Sequence, residues 1–350
     1  MMKNFDTIPW LKNFVEQTDA AIAVVFENTG SADLKEILKR QHQGGKRLRP
    51  AIIGASARLG EHMSDAAKFA AVAVELLHLA SLFHDDVLDN TESRRLQMTA
   101  QKKIGNLTSI LSGDYLLTES INIMIRHLPK EVTEYFLATI KKMIKSEIYS
   151  HKLLHNPDIS KKEFLQIIDE KTASLFALAS SLGIRITSGD PNAIERLTQF
   201  GHNLGMAYQL ADDLEDMFGL IEGSDNDLLH GYVGLPVIEL LNAAADDLKP
   251  EIRQCIKHLD HEKSIRLIQW MKSYSIFKVT FTQIKKYAGT ARENLRGLKT
   301  NGLKDQEDCM GYLMELCSFI ENKTEKIILV YEKIADGKNT ADDRKIYAFG

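Results

Sequence analysis

Cysteine is scarce. Cys255, Cys309 and Cys317 are the only three among 350 residues. An odd count with no Cys-x-x-Cys spacing argues against a disulfide framework and a thiolate zinc site. It predicts buried free thiols in a reducing cytoplasm. Proline is scarce too, with seven residues, which favours long helices because proline breaks helix interiors. No apolar run reaches spanning length. The longest, Phe69 to Phe83, is cut by Glu75, His78 and Ser81 and reads as a buried helix of a soluble protein. The start, Met1-Met2-Lys3-Asn4-Phe5-Asp6, has no apolar core of signal-peptide length. No P-loop or dinucleotide-binding glycine pattern occurs, so the common nucleotide enzymes drop out. A basic excess is lacking as well. Lys and Arg number 44 against 48 Asp and Glu, a net charge of −4, so no global field exists to hold nucleic acid. The sharpest deficit is local. Residues 197–248 contain no Lys or Arg but ten Asp and Glu, where about six or seven basic residues are expected from composition.

Hydrophobic residues make up 44% and charged residues 26%, ordinary globular values with ample material for a core. The apolar periodicity is helical almost throughout. Leu197, Phe200, Leu204, Ala207, Ala211, Leu214 and Phe218 step by three and four along one helix face. Leu313, Leu316, Ile320, Ile327, Val330 and Ile334 repeat the pattern. Breaks fall at Gly44-Gly45, Gly60, Asn90-Thr91, Pro129, Asn156-Pro157, Gly189-Asp190-Pro191, Gly223-Ser224 and Pro250. The expectation is one all-α domain over residues 1–350, of about a dozen helices, with a polar, frayed tail at 336–350.

Two clusters carry the chemistry. Asp85-Asp86-Val87-Leu88-Asp89 and Asp212-Asp213-Leu214-Glu215-Asp216 both read DDxxD. Asp85 and Asp89 are i and i+4, so they project from one helix face, as do Asp212 and Asp216. At least three like charges within five residues destabilise an isolated helix. Such hard oxygen donors suit Mg²⁺, which takes carboxylates together with substrate phosphates. A solvated acidic helix end is the plainer reading of either cluster alone. It explains poorly why Leu76, Leu77, Leu79, Leu82 and Phe83 run straight into the first.

Cations accompany the clusters. Gly44-Gly45-Lys46-Arg47-Leu48-Arg49-Pro50 puts three on a glycine-led loop suited to a phosphate. Arg94-Arg95 follow the first cluster, and Lys171-Thr172 open a helix through Leu175, Phe176 and Leu178. Singly, each is an ordinary surface charge. Beside two Mg²⁺-type clusters, a diphosphate is their natural common ligand.

Here the sequence resembles the trans-isoprenyl diphosphate synthase (polyprenyl synthetase) family. The resemblance rests on GGKRLRP at 44–50, LLHLASLFHDDVLDNTESRR at 76–95, SGDYLL at 112–117, KTASLF at 171–176 and GMAYQLADDLED at 205–216. It implies an all-α isoprenoid synthase-type helical bundle around a deep central cavity, usually dimeric, as a homodimer or with a second subunit. Asp85 and Asp89, facing Asp212 and Asp216, would hold Mg²⁺. Lys46, Arg49, His78 and Arg95 look like an isopentenyl diphosphate site. Arg94, Lys171, Thr172 and Gln209 look like an allylic diphosphate site. Asp85, Asp89, Lys171 and Asp212 are the candidate catalytic residues. The implied reaction ionises an allylic diphosphate, whose cation adds to isopentenyl diphosphate before a proton is lost. An apolar cavity shields the cation from water.

Product length has its own candidates. Ala80 and Ser81 lie five and four residues before Asp85, about one helical turn below the cluster. Relatives with short products place an aromatic ring at one of these positions. With both small, the first gate is open, and only Leu77 is bulky in the layer beneath. Products beyond C20, centred on C30–C40, are expected.

The chain also departs from the family pattern. A lysine usual after the second cluster is replaced in Gly231-Tyr232-Val233-Gly234-Leu235-Pro236, the loop 217–230 is short, and Ser150 replaces a glutamine that follows a helix glutamate, here Glu147. These gaps motivate an alternative on the same fold, a terpene cyclase or a transferase to another acceptor. Retention of Lys46, Arg49, His78 and Arg95 argues against it. A more distant alternative is an HD-type metal phosphohydrolase built on His84-Asp85, with His42, His62 or His78 as a further ligand. A catalytically silent partner subunit is a third.

Overall fold

The computed structural model describes residues 5–60, 64–88, 93–94, 97–98, 100–188, 190–217, 228 and 230–336. They form two compact units, each assembled from three stretches of chain. The first comprises residues 1–140, 175–201 and 293–315, and the second 141–174, 202–292 and 316–350. Fourteen α-helices account for nearly all described residues. Among the described residues the one extended element is a two-residue antiparallel pairing, Ser93 with Met98 and Arg94 with Gln97. The all-α reading holds.

In the first unit the leading helices are α1 (Pro9–Glu27), α2 (Ala32–His42), α3 (Leu48–Arg58), α4 (Asp65–Leu88) and α5 (Ala100–His127). α4 is rich in alanine, the strongest helix former, and apolar nearly all round, which marks a buried helix. It runs well beyond the apolar stretch read from the sequence, and by length and composition it could cross a membrane. Yet 67% of its most apolar window is buried within the protein, so it serves as a core helix. Its Val72, Leu76, Leu79, Ala80 and Phe83 pack with Ile22 and Phe26 of α1, Leu38 of α2 and Leu116 of α5. Each large side chain so buried contributes about 1.5–3 kcal/mol, and truncation of Leu76 to alanine should cost about 2–5 kcal/mol. α5 is broken at Gly105, whose φ of +79° suits glycine.

The second unit draws on α6 (Lys130–Lys152), α7 (Lys161–Ile168), α9 (Pro191–Asp216), α10 (Leu235–Ala243), α11 (Lys249–Lys257), α12 (His261–Ser273), α13 (Ile276–Arg296) and α14 (Lys304–Ala335). Between α7 and α9 lies α8 (Ser174–Thr187), most of it in the first unit. α7 opens with a capping box. Glu163 N donates to Ser160 Oγ at 3.2 Å, and Ser160 N donates to Glu163 Oε2 at 3.0 Å. Pro250 sits in the first turn of α11, where its missing N–H costs nothing. Buried Tyr331 of α14 stacks on Phe277 at 5.0 Å and donates its hydroxyl to Leu214 O at 2.7 Å. The three cysteines are free and buried. Burial pushes the Cys309 and Cys317 thiols up to about 12, so they are inert.

Candidate active site

In the first unit, α4 delivers the leading aspartates. Asp85 is half-buried, while Asp86 is fully buried and accepts from Gln41 Nε2 at 3.1 Å. The adjacent acids therefore differ in role, Asp86 tying α4 to α2. At about 100° per residue, Glu75, His78, Ser81, Leu82 and Asp85 share one arc of α4. Ala80 lies off this arc, in the buried cluster described above. Ser81 is half-buried and donates its hydroxyl to His78 O at 2.8 Å. Leu77 is 4% exposed. Asp89 and Arg95 lie outside the described residues. Arg94 lies in the short pairing, where only its backbone is described.

The glycine-led loop enters α3 through an unusual residue. Arg47 caps the helix with φ 51° and ψ 31°, the left-handed region that costs a non-glycine residue about 1–2 kcal/mol. Its side chain offsets the strain. Nε donates to Asp19 Oδ1 at 2.6 Å, one terminal nitrogen donates to His42 O at 3.0 Å, and the other lies 3.8 Å from Glu75. His42 Nε2 also reaches Asp19, at 3.3 Å. Burial pushes the Asp19 carboxyl up, but the His42 hydrogen bond and the Arg47 charge outweigh it and hold Asp19 below its ordinary value. Glu75 goes the other way. Burial raises it, and Arg49 and Arg47 only partly oppose the rise. Arg49 lies over the Phe176 ring at 5.0 Å, while Lys46 is exposed. Sequence reasoning missed Asp19, Arg47 and Glu75 as a set. The available signal was a glutamate inside an apolar run.

In the second unit, Lys171 and Thr172 do not open a helix, as the sequence suggests. They sit in a π-helical turn, Asp169–Ala173, that joins α7 to α8. Such turns are frequent at functional positions, and this one is tied down at three points. Asp169 pairs with His202 at 2.8 Å, and that hydrogen bond holds its carboxyl below the ordinary value despite burial. Lys171 pairs with Glu147 of α6 at 2.7 Å and lies over the Tyr232 ring at 6.0 Å. Thr172 Oγ1 donates to Gln209 Oε1 at 2.9 Å, and Gln209 Nε2 donates to Asp213 Oδ1 at 3.0 Å. A chain of hydrogen bonds thus runs from the π turn to the second acidic cluster. Lys171, Thr172, Gln209, Asp213, Asp216 and Tyr232 line a cavity of about 130 Å³, with Ile159, Phe164, Ile168 and Val237 among its apolar walls. Ser150 lines it too, where the longer glutamine of the family pattern would take up space.

Asp212, on the same turn of α9, accepts from Lys323 Nζ of α14 at 3.0 Å, and Lys323 also pairs with Glu215. The two carboxylates outweigh the burial of Lys323 and raise its pKa above the ordinary lysine value, so it is charged.

Among the described residues no three His, Cys, Asp or Glu side chains converge on a ready-made metal cage. Mg²⁺ requires none, since one or two carboxylates plus substrate phosphates suffice. The donors present, all hard carboxylate oxygens, fit that ion. The phosphohydrolase alternative fares worse. His84 is engaged with Asp114 at 3.2 Å and His42 with Asp19, while His62 lies outside the described residues.

A model of the polyprenyl synthetase family matches residues 31–273. The chain is 30% identical over 309 residues to heptaprenyl diphosphate synthase component 2 of Geobacillus stearothermophilus, covering 87% of this chain and 93% of that protein. Among solved structures it is similar to a decaprenyl diphosphate synthase from Rhodobacter capsulatus. The TM-score is 0.84 at 25% identity, over 91% of this chain and 99% of that one. A polyprenyl synthase from Caulobacter crescentus, complexed with calcium and isoprenyl diphosphate, gives 0.80 at 26% identity, over 90% and 97%.

Proposed function

The chain belongs to the polyprenyl synthetase family, and from that premise we propose that it condenses an allylic diphosphate with isopentenyl diphosphate to give products longer than C20. The observation that carries this reading is the hydrogen-bonded chain Thr172–Gln209–Asp213 beside Lys171. It joins an anion-binding edge to a carboxylate cluster in one pocket, as a diphosphate bridged to metal requires. Asp85 and Asp89 in one cluster, and Asp212 and Asp216 in the other, are read as ligands of Mg²⁺. The bound metal would stabilise the negative charge of the departing diphosphate.

The protein's own side chains do the rest. Lys171, Thr172, Gln209 and Arg94 are read as holding the allylic diphosphate. Lys46, Arg49, His78 and Arg95 are read as holding isopentenyl diphosphate. Apolar walls keep water from the cation. The released diphosphate is the base available for the final proton. Ser81 and Leu77, on or beside the arc of Asp85, are the product-length candidates that this placement favours, because Ala80 is occupied in core packing.

Residues 1–350 act as one catalytic domain in this reading, since the chain passes repeatedly from one unit to the other. Leu107, Leu111 and Ile125 of α5 are 72%, 57% and 64% exposed. This supports a covering second chain, in a homodimer or in a two-component enzyme of the kind the Geobacillus relative's name denotes. The buried free thiols support a cytoplasmic setting.

The test is one incubation of purified protein with Mg²⁺, farnesyl diphosphate and labelled isopentenyl diphosphate, with products resolved by length. Polyprenyl diphosphates beyond C20 are expected. A hydrocarbon product, or no incorporation of label, would overturn the assignment.

A further inference from the structure

Residues 197–248 contain no lysine or arginine, yet a lysine from elsewhere in the chain reaches the second acidic cluster. α14 brings Lys323 to Asp212 from 111 residues away, with Nζ 3.0 Å from Asp212 Oδ1 and also paired with Glu215. The lysine side chain is only 19% exposed. An ammonium group has three donors and no acceptor, and it is strongly hydrated in water. Withdrawing it this far from solvent is favourable only against fixed negative charge. Asp212, Asp213, Glu215 and Asp216 supply that charge within five residues.

We propose that Lys323 is a built-in counter-cation that makes metal binding at Asp212 conditional on diphosphate. Without substrate, Lys323 occupies an Asp212 oxygen and screens the repulsion within the cluster. A divalent cation must then displace a positive charge and meet its repulsion, so Mg²⁺ alone binds weakly. A diphosphate adds negative charge, and the balance tips. Mg²⁺ takes Asp212, and Lys323 stays on Glu215 as a cation on a side of the site whose own chain segment provides no lysine or arginine. Metal and diphosphate therefore bind cooperatively. The inference rests on reading Asp212 as a metal ligand.

Calorimetric titration of the full-length protein with Mg²⁺, with and without inorganic diphosphate, tests it. Lys323→Met should bind Mg²⁺ alone about tenfold more tightly than the unmodified protein, and the gain from added diphosphate should shrink. Lys323→Gln, polar and neutral, is the second variant if the methionine form does not fold. Lys323→Arg keeps the charge and should retain weak metal binding. Unchanged Mg²⁺ affinity in the neutral variants, or an arginine variant that behaves like them, would overturn the counter-cation role. Asp212→Asn separates this from the underlying reading. If it lowers the Mg²⁺ heat to the share of the Asp85 cluster while the neutral variants bind as before, only the role of Lys323 fails. If it binds Mg²⁺ normally, the ligand assignment fails and the proposal with it.

Discussion

Replacing Asp19 with asparagine should loosen the loop that carries Lys46 and Arg49 while leaving both side chains intact. The 2.6 Å contact from Arg47 Nε to Asp19 is charge-assisted. Such a bond is worth about 1.5–3 kcal/mol when sheltered. Asp19 is 38% exposed, so screening reduces this to about 1–2 kcal/mol. Arg47 keeps its bond to His42 O at 3.0 Å, which prevents complete release. The left-handed backbone of Arg47 costs about 1–2 kcal/mol, so losing the anchor leaves that strain unopposed and makes the observed loop the minor state beside a relaxed one. A shift of about 1.4 kcal/mol is tenfold in population, and a ligand needing the minor state binds more weakly by that factor. The KM for isopentenyl diphosphate should therefore rise about five- to tenfold, with kcat and the allylic KM within about twofold. Thermal stability should fall by a few degrees. Steady-state assays varying each substrate in turn read this out. An equal rise in both KM values, or an unchanged isopentenyl KM despite lost stability, would refute the reasoning.

Four further outcomes are expected. Asp212→Ala should lower turnover by several orders of magnitude at saturating Mg²⁺, while the fold holds because Lys323 keeps Glu215; near-normal turnover would dismiss Asp212 as a ligand. Tyr232→Lys places a cation beside Lys171 at the cavity rim and should lower the allylic KM, by no more than about 1.5–3 kcal/mol of binding; an unchanged KM would show that position 232 does not meet the substrate. Ser81→Phe should shorten products to C15–C20 with the first condensation retained, read by chromatography of the products, whereas Ala80→Phe, forced into a packed cluster, should cost about 1–3 kcal/mol of stability. Glu75 has a folded-state pKa raised by burial above 4.5, so stability falls as pH climbs from 4.5 towards that folded value. Urea melts should show Glu75→Gln gaining on the unmodified protein as pH rises from 4.5 to 7; a pH-independent difference would sink this account.

What the sequence determined by itself is what backbone geometry repeats locally. Steps of three and four in Leu197, Phe200 and Leu204 mark α9 because a helix has 3.6 residues per turn. The i, i+4 spacing of Asp212 and Asp216 puts two carboxylates on one face for the same reason. The sites of chain breaks at Gly44-Gly45, Pro129 and Pro250 were legible because glycine and proline act through their own φ. Tertiary structure alone decided which neighbours those residues meet. It turned Asp86 inward to Gln41 and left Asp85 half-buried. It packed Ala80 into the α1–α2–α5 cluster although Ala80 and Ser81 are adjacent and equally small. It carried Lys171 and Thr172 into a π turn within a continuous run of helix, where spacing reads as a helix start. It also answered the missing charge of residues 197–248 with Lys323. A pairing across 111 residues depends on how helices pack, and a local pattern of residue types carries no record of that.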